Sequence, residues 1–178
     1  MMNTFEINEI LSRRIRRCNF LGVFAYDQLP EISKLARPLM LVVNTDPSYL
    51  PGKHWLAIYI DDGNHTLFFD SFGNHPDKFG ERITNFIDRN SSTFQYLNIQ
   101  IQSFCSAACG QFCIFFLIQM DKGADFQRMI SKFKTETHYN DKMVCRYVKK
   151  LSPTVKCMRL DNSSCLQCCV SGEMPCVL

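Results

Sequence analysis

Apolar residues recur at helical spacing in the first segment of the chain. Ile7, Ile10, Leu11 and Ile15 stand at i, i+3, i+4 and i+8, which is the spacing of one face of a helix. The other face of this segment carries arginines. The pattern predicts that residues 4–17 form an amphipathic basic helix.

A buried strand and a hairpin are predicted next. Residues 39–43 are an apolar, β-branched run that follows Pro38, which is typical of a buried strand. Residues 54–60 and 66–70 are rich in β-forming side chains and flank the turn signal Asp61-Asp62-Gly63-Asn64. Two such runs around a short polar turn indicate an antiparallel hairpin.

The second half of the chain alternates between helix and strand signals. Residues 79–87 place apolar side chains at i, i+4, i+7 and i+8, which predicts a surface helix, and residues 97–102 alternate apolar with polar, which predicts a strand. From Cys109 to Ile118 the chain is apolar nearly all round, as expected of a buried central helix. We expect further helices at 125–133 and 139–150.

Composition narrows the class of protein. The chain has 178 residues, of which 46% are hydrophobic and 21% charged. This composition is too apolar for an intrinsically disordered protein. The length favours one domain over two. The longest apolar run, Phe112–Ile118, is too short to span a membrane. The N-terminus shows no signal-peptide pattern, so we expect an intracellular protein that is not secreted. We predict one domain over residues 1–152 and a Cys-rich tail over residues 153–178.

The tail holds five of the ten cysteines, and its role has two interpretations. In the first it is a flexible segment with exposed thiols. In the second the protein is a non-enzymatic zinc-binding adaptor, although only Cys165 and Cys168 have ligand-like spacing. We favour the first interpretation and expect no metal site.

Cys109 has the setting of a nucleophile. It follows the small residues Ser106-Ala107-Ala108 and opens the apolar helix, so its sulfur should lie at a helix N-terminus, where the dipole favours a thiolate. Its backbone N–H would be free to bind an oxyanion. The alternative is an inert, buried cysteine, and this alternative is the one we adopt for Cys105 and Cys113.

Three further side chains complete a catalytic pattern. His54 opens one hairpin strand and Asp70 ends the other, so that a turn at 61–64 would pair them directly across the ladder. Asp70 could then orient the imidazole. Gln102, at the end of the predicted strand and on its polar face, could supply a second oxyanion donor. Each residue alone has an ordinary structural interpretation, but a base, an orienting acid, an amide donor and a nucleophile together favour a catalytic site over four coincidences.

At this point the chain resembles the adenovirus protease (adenain) family, in the clan that also contains the ubiquitin-like-protein (SUMO) proteases. The resemblance rests on these blocks: Phe20-Leu21-Gly22, Val43-Asn44-Thr45, Gly52-Lys53-His54-Trp55, Phe69-Asp70-Ser71-Phe72-Gly73, Gln102, and Ser106-Ala107-Ala108-Cys109-Gly110-Gln111-Phe112-Cys113. Asp70 stands where adenovirus enzymes typically have Glu, and the tail has no counterpart that we could align.

The resemblance implies an α+β fold, with a mixed central β-sheet packed against the helix that starts at Cys109 and with flanking helices. It implies a triad of His54, Asp70 and Cys109, with Gln102 in the oxyanion hole. Their neighbours Trp55 and Gly110 become candidates for substrate binding.

The family's function is cleavage of capsid and core precursor proteins in assembling virions. We therefore expect a monomeric viral endopeptidase of the virion and host nucleus that needs no cofactor and that DNA and a virus-derived peptide could activate. The alternative is a deubiquitinase or deSUMOylase-type isopeptidase of the same clan, an interpretation that Asp70 slightly favours.

Basic residues form two clusters although the net charge is only +3. The candidate DNA-binding residues are Arg13, Arg14, Arg16, Arg17, Lys149 and Lys150. No base-reading motif accompanies them, so any binding to DNA should be sequence-independent and salt-sensitive. The alternative is that both clusters are ordinary solvated surfaces.

Overall fold

A computed structural model describes residues 1–155 of the chain and contains one mixed five-stranded sheet. The strands are β1 (Asn19–Ala25), β2 (Leu39–Asn44), β3 (Trp55–Ile60), β4 (His65–Phe69) and β5 (Thr93–Tyr96). They lie side by side in chain order, with β1–β2 and β4–β5 parallel and the two central pairs antiparallel. The mixed sheet and the β3–β4 hairpin confirm the expected α+β class.

In the part of the chain that the structure describes, five α-helices surround the sheet. They are α1 (Thr4–Arg14), α2 (Glu81–Asn90), α3 (Cys109–Asp121), α4 (Phe126–Ile130) and α5 (Thr137–Leu151). A short 3₁₀ helix, Pro76–Phe79, precedes α2, which begins only after Gly80 because that glycine has a positive φ of 89°. Within residues 1–155, no helix is long and apolar enough to cross a membrane.

The described residues form two apolar cores, which lie on opposite faces of the sheet. The larger core is built around α3, which is buried on almost every side and packs against α1, α5 and β3. The smaller core holds α2 through Ile83, Phe86 and Ile87. The sequence prediction of α3 as a central buried helix is confirmed, and this helix carries Cys109 at its start.

The prediction that the first helix reaches residue 17 is wrong. Helix α1 ends at Arg14, and Ile15 already has extended backbone. The N–H groups of Arg16, Arg17 and Cys18 instead donate to the carboxylate of Asp121 at the end of α3. A buried carboxylate that accepts three backbone N–H groups offers them stronger partners than another helical turn would.

The predicted strand over 97–102 is also wrong, because the fifth strand is formed earlier, by Thr93–Tyr96. After Leu97 the chain leaves the sheet and packs against the turn that follows β4, where the N–H groups of Ile101 and Gln102 both donate to the carbonyl of Ser71. Ile99, expected on the buried side of a strand, is 47% exposed. The alternation of apolar and polar residues over 97–102 therefore belongs to a loop and not to a strand.

Candidate active site

His54 is held at the open end of the central strands. The β2–β3 ladder ends with the pair Asn44–Trp55, and the Thr45 N–H then donates to the His54 carbonyl at 3.0 Å. Gly52 in the preceding loop has φ +88°, and a Cβ there would lie 1.9 Å from the side-chain nitrogen of Asn44. A glycine is thus required for the loop to approach Asn44 and place His54 at the start of β3.

Asp70 directly follows β4 and is fully buried. Its Oδ1 lies 2.6 Å from His54 Nε2 and accepts the Phe72 N–H at 3.1 Å. Its Oδ2 accepts the backbone N–H and the side-chain amide of Asn74, at 3.0 and 2.6 Å. Although burial raises the pKa of Asp70, the hydrogen bond and the charge of His54 outweigh it and lower that pKa overall.

The register of the hairpin differs from the sequence prediction. Ala57 pairs with Phe69 and Ile58 with Phe68, so extending the ladder places Leu56, not His54, opposite Asp70. The prediction of a direct pair was therefore wrong by two positions. A shift of two preserves the face of the sheet on which a side chain lies, and for this reason His54 still reaches Asp70 diagonally.

Cys109 is the first residue of α3, as expected, and Ala108 is the N-cap. Its N–H therefore has no partner inside the helix. A hydrogen bond joins Cys109 to the His54 side chain. The whole residue is only 2% exposed, so a substrate carbonyl must enter between neighbouring side chains to reach the sulfur.

The environment of His54 favours the imidazolium. Burial alone would lower its pKa, but the hydrogen bonds to Asp70 and Cys109 and the charges of the same two residues raise that pKa to about 9. The ring also packs against Phe72, with centroids 5.2 Å apart. Asp70 and Cys109 thus both favour the protonated form of His54, and the ring is fixed between them.

Gln102 lies in the loop before α3 rather than at a strand end. It is 1% exposed, against the expectation of a polar strand face. Its Oε1 accepts the Ser71 hydroxyl at 2.6 Å, and its Nε2 donates to the Ser106 carbonyl at 2.6 Å. A side-chain amide has two N–H donors, so one remains for a ligand while the other fixes the group.

Helix α5 is hydrogen-bonded to the loop that carries Gln102, a feature that the sequence analysis missed. Asp141 accepts the Ser103 N–H at 3.4 Å, and the Asn140 side-chain amide donates to the Ile101 carbonyl at 2.9 Å. Burial raises the pKa of Asp141 to about 6, although hydrogen bonds from Ser103 and Ser106 lower it. The signal in the sequence that could have indicated this contact is the polar pair Asn140 and Asp141 at core-facing positions of an amphipathic helix.

Trp55 and Gly110 lie under the N-terminal segment. Trp55 is 3% exposed and its indole N–H donates to the Met2 carbonyl at 3.0 Å. A Cβ at Gly110 would lie 3.1 Å from Ile7 and 3.2 Å from Met2. Both residues therefore pack the chain start against α3, and their role in substrate binding stays a prediction.

The environment of Cys113 differs from that of Cys109. Cys113, one turn further along α3, is buried, and desolvation raises its pKa well above the usual range. Within residues 1–155, no group of three or more His, Cys, Asp or Glu side chains is placed to hold a metal ion. The five tail cysteines lie outside the described residues.

The two basic clusters meet at one end of the molecule. The Arg14 guanidinium donates to the Leu151 carbonyl at 3.0 Å and so joins the end of α1 to the end of α5, where Lys149 and Lys150 are exposed. Arg13 is paired with Glu9 at 2.9 Å. Arg16 and Arg17 remain exposed beyond the helix end.

Comparison with known proteins finds similarity to viral proteases. Residues 20–135 match the family model described as adenovirus endoprotease. A protease of ovine adenovirus D serotype 7 is 27% identical over 124 residues, which are 63% of this chain and 61% of the relative. A putative thiol protease of Acanthamoeba polyphaga mimivirus is 31% identical over 98 residues, which are 51% of this chain and 32% of that protein.

A solved structure of an ASFV protease shares the fold, with a TM-score of 0.56 and 22% identity over 76% of this chain and 64% of that one. The chain spans between about half and three fifths of the length of the first adenovirus relatives it matches. Because the family model covers more than half of the chain, the chain belongs to the adenovirus endoprotease family.

Proposed function

We propose that the protein is a viral maturation cysteine endopeptidase that cleaves capsid and core precursor proteins during virion assembly. The observation that carries this proposal is the contact of His54 with Asp70 at 2.6 Å on one side and with Cys109, at the start of α3, on the other. Membership of a viral endoprotease family supports it.

The proposed reaction uses these groups in sequence. The Cys109 proton resides on His54, and the sulfur attacks the scissile carbonyl carbon to give a tetrahedral oxyanion. His54 then gives its proton to the leaving nitrogen as the C–N bond breaks, which leaves a thioester on Cys109. A water molecule, deprotonated by the now neutral His54, attacks the thioester and releases the acid. Asp70 stabilises the imidazolium throughout.

The oxyanion would be bound by two N–H donors. The first is the Cys109 backbone N–H at the α3 N-terminus, where the helix dipole also favours negative charge. The second is the remaining side-chain N–H of Gln102. The hydrogen bonds of Gln102 to Ser71 and Ser106 fix this group before substrate binds, and such preorganisation is what makes an oxyanion hole effective.

Incubation with candidate capsid and core precursors, followed by sequencing of the new termini, tests this function. We expect discrete cleavage by the parent and none by Cys109→Ala, while Cys113→Ala keeps cleaving. Labelling by a ubiquitin or SUMO vinyl-sulfone probe, without cleavage of precursors, would instead assign the site to an isopeptidase.

We also propose that DNA binds the basic end of the molecule without sequence preference and localises the enzyme in the virion and host nucleus. The Arg14–Leu151 contact supports this, because it joins both clusters into one surface. Binding of an arbitrary duplex should weaken steeply with salt. Hydrolysis rates with and without that DNA, and with and without a virus-derived peptide, test activation of the monomer.

A further inference from the structure

An aromatic pair, of which Phe104 is exposed and Phe72 is half-buried, lies beside the candidate catalytic residues. The rings of Phe72 and Phe104 stack with centroids 6.0 Å apart and planes 13° from parallel. Phe104 is 59% exposed. A large aromatic side chain that is exposed next to a reaction centre is typical of a binding surface, because a partner that covers it removes a large apolar area from water.

The pair is rigidly attached to the site. Phe72 lies between Ser71, which bonds to Gln102, and Gly73, whose φ of +75° allows the chain to pack on Ile99. A Cβ at Gly73 would come within 2.5 Å of the Ile99 backbone. Phe104 follows Gln102 by two residues, so the packing that positions the oxyanion donor also positions both rings.

The contact with His54 indicates which part of a substrate the pair would meet. Phe72 packs against the His54 ring, with centroids 5.2 Å apart. A general acid must lie within hydrogen-bond reach of the leaving nitrogen. The surface next to His54 therefore borders the segment that carries the leaving amine, rather than the acyl segment that stays on Cys109.

We propose that Phe72 and Phe104 form a subsite for an apolar side chain in the first residues after the scissile bond. This inference rests on the proposed hydrolysis by Cys109. Selection at this subsite acts on the leaving segment and is independent of the residues on the acyl side.

Two peptides that differ only after the scissile bond test the subsite, one with leucine and one with serine at the first two positions. Phe104→Ala should lower kcat/KM for the leucine peptide about five- to tenfold, as expected for lost contact on an open apolar surface, and leave the serine peptide nearly unchanged. The matched control is Phe94→Ala, which removes an exposed ring on β5 that contacts the His75 ring at a tilted angle. It should change neither rate.

A peptide vinyl sulfone with no leaving segment separates this inference from the function on which it rests. Phe104→Ala should react with this probe at the parental rate. Equal loss on both peptides, unchanged hydrolysis of the leucine peptide, or slower probe labelling would each overturn the subsite while leaving hydrolysis intact. Failure of the parent to cleave either peptide or to react with the probe would refute the proposed function itself.

Discussion

The charge of Asp70 should set the alkaline limit of activity. The carboxylate lies 2.6 Å from His54 Nε2 and, with Cys109, raises the pKa of His54 to about 9 against the opposing effect of burial. A raised pKa means that the imidazolium is present below about pH 9 and lost above it. Asp70→Asn removes the charge, so the pKa of His54 should fall by about 1–3 units, as for other close ion pairs.

The same substitution should also cost stability. Asp70 accepts N–H groups from Phe72 and Asn74 in addition to His54. An asparagine has one acceptor oxygen and one donor NH₂, so at least one of these buried donors would face another donor. The loss should be about 1–3 kcal/mol in the free energy of unfolding.

The assay is the pH profile of kcat/KM between pH 6 and 10, with urea unfolding measured in parallel. The alkaline limb should move to lower pH in Asp70→Asn, which nevertheless retains more activity than His54→Ala. The matched control is Asp77→Asn, because that exposed carboxylate contacts His75 at 3.0 Å. An unchanged alkaline limb in a folded Asp70→Asn variant would refute the role given to Asp70.

Three further predictions follow from the same contacts. Gln102→Ala should lower kcat about 10²-fold, the scale of one lost oxyanion donor. Iodoacetamide should label Cys109 faster than Cys113, whose pKa burial raises well above the usual range. Burial raises the pKa of Asp141 to about 6, so the parent should lose about 2 kcal/mol of stability as pH rises from 4 to 6 relative to Asp141→Asn, because the unfolded state ionises in this range and the folded state resists ionisation.

Each of these predictions has a contradicting outcome. Parental kcat in Gln102→Ala, measured at saturating substrate, would make its amide purely structural. Equal labelling of the two cysteines, read by peptide mapping, would indicate that Cys109 is an inert core residue. Parallel stability curves for the parent and Asp141→Asn, from urea titrations at each pH, would show that Asp141 does not titrate in this range.

Local patterns predicted the elements that carry the reacting groups. The apolar run after Cys109 identified α3, and the turn signal at 61–64 identified the β3–β4 hairpin. His54 and Asp70 came out on one face even though their register was wrong, because the period of a strand is two. Helix and strand periodicities are local quantities, so a sequence contains them directly.

Tertiary contacts decided what the patterns could not. Hydrogen bonds to Asp121 replace another turn of α1, and hydrogen bonds to the Ser71 carbonyl keep residues 101–102 out of the sheet. Asp141 holds Ser103 from a helix 38 positions away. Such partners are distant in sequence and leave no periodic signal, although a polar residue at a core-facing helix position is a usable hint.

Trapping the covalent intermediate is the most direct test of nucleophilic catalysis by Cys109. A precursor-derived peptide substrate is mixed with the protein and quenched in acid within milliseconds to seconds, and the digest is mapped by mass spectrometry. We expect the added mass of the acyl segment on the peptide that contains Cys109, and no added mass in Cys109→Ala. Acylation of another residue, or hydrolysis by Cys109→Ala at the parental rate, would contradict this expectation.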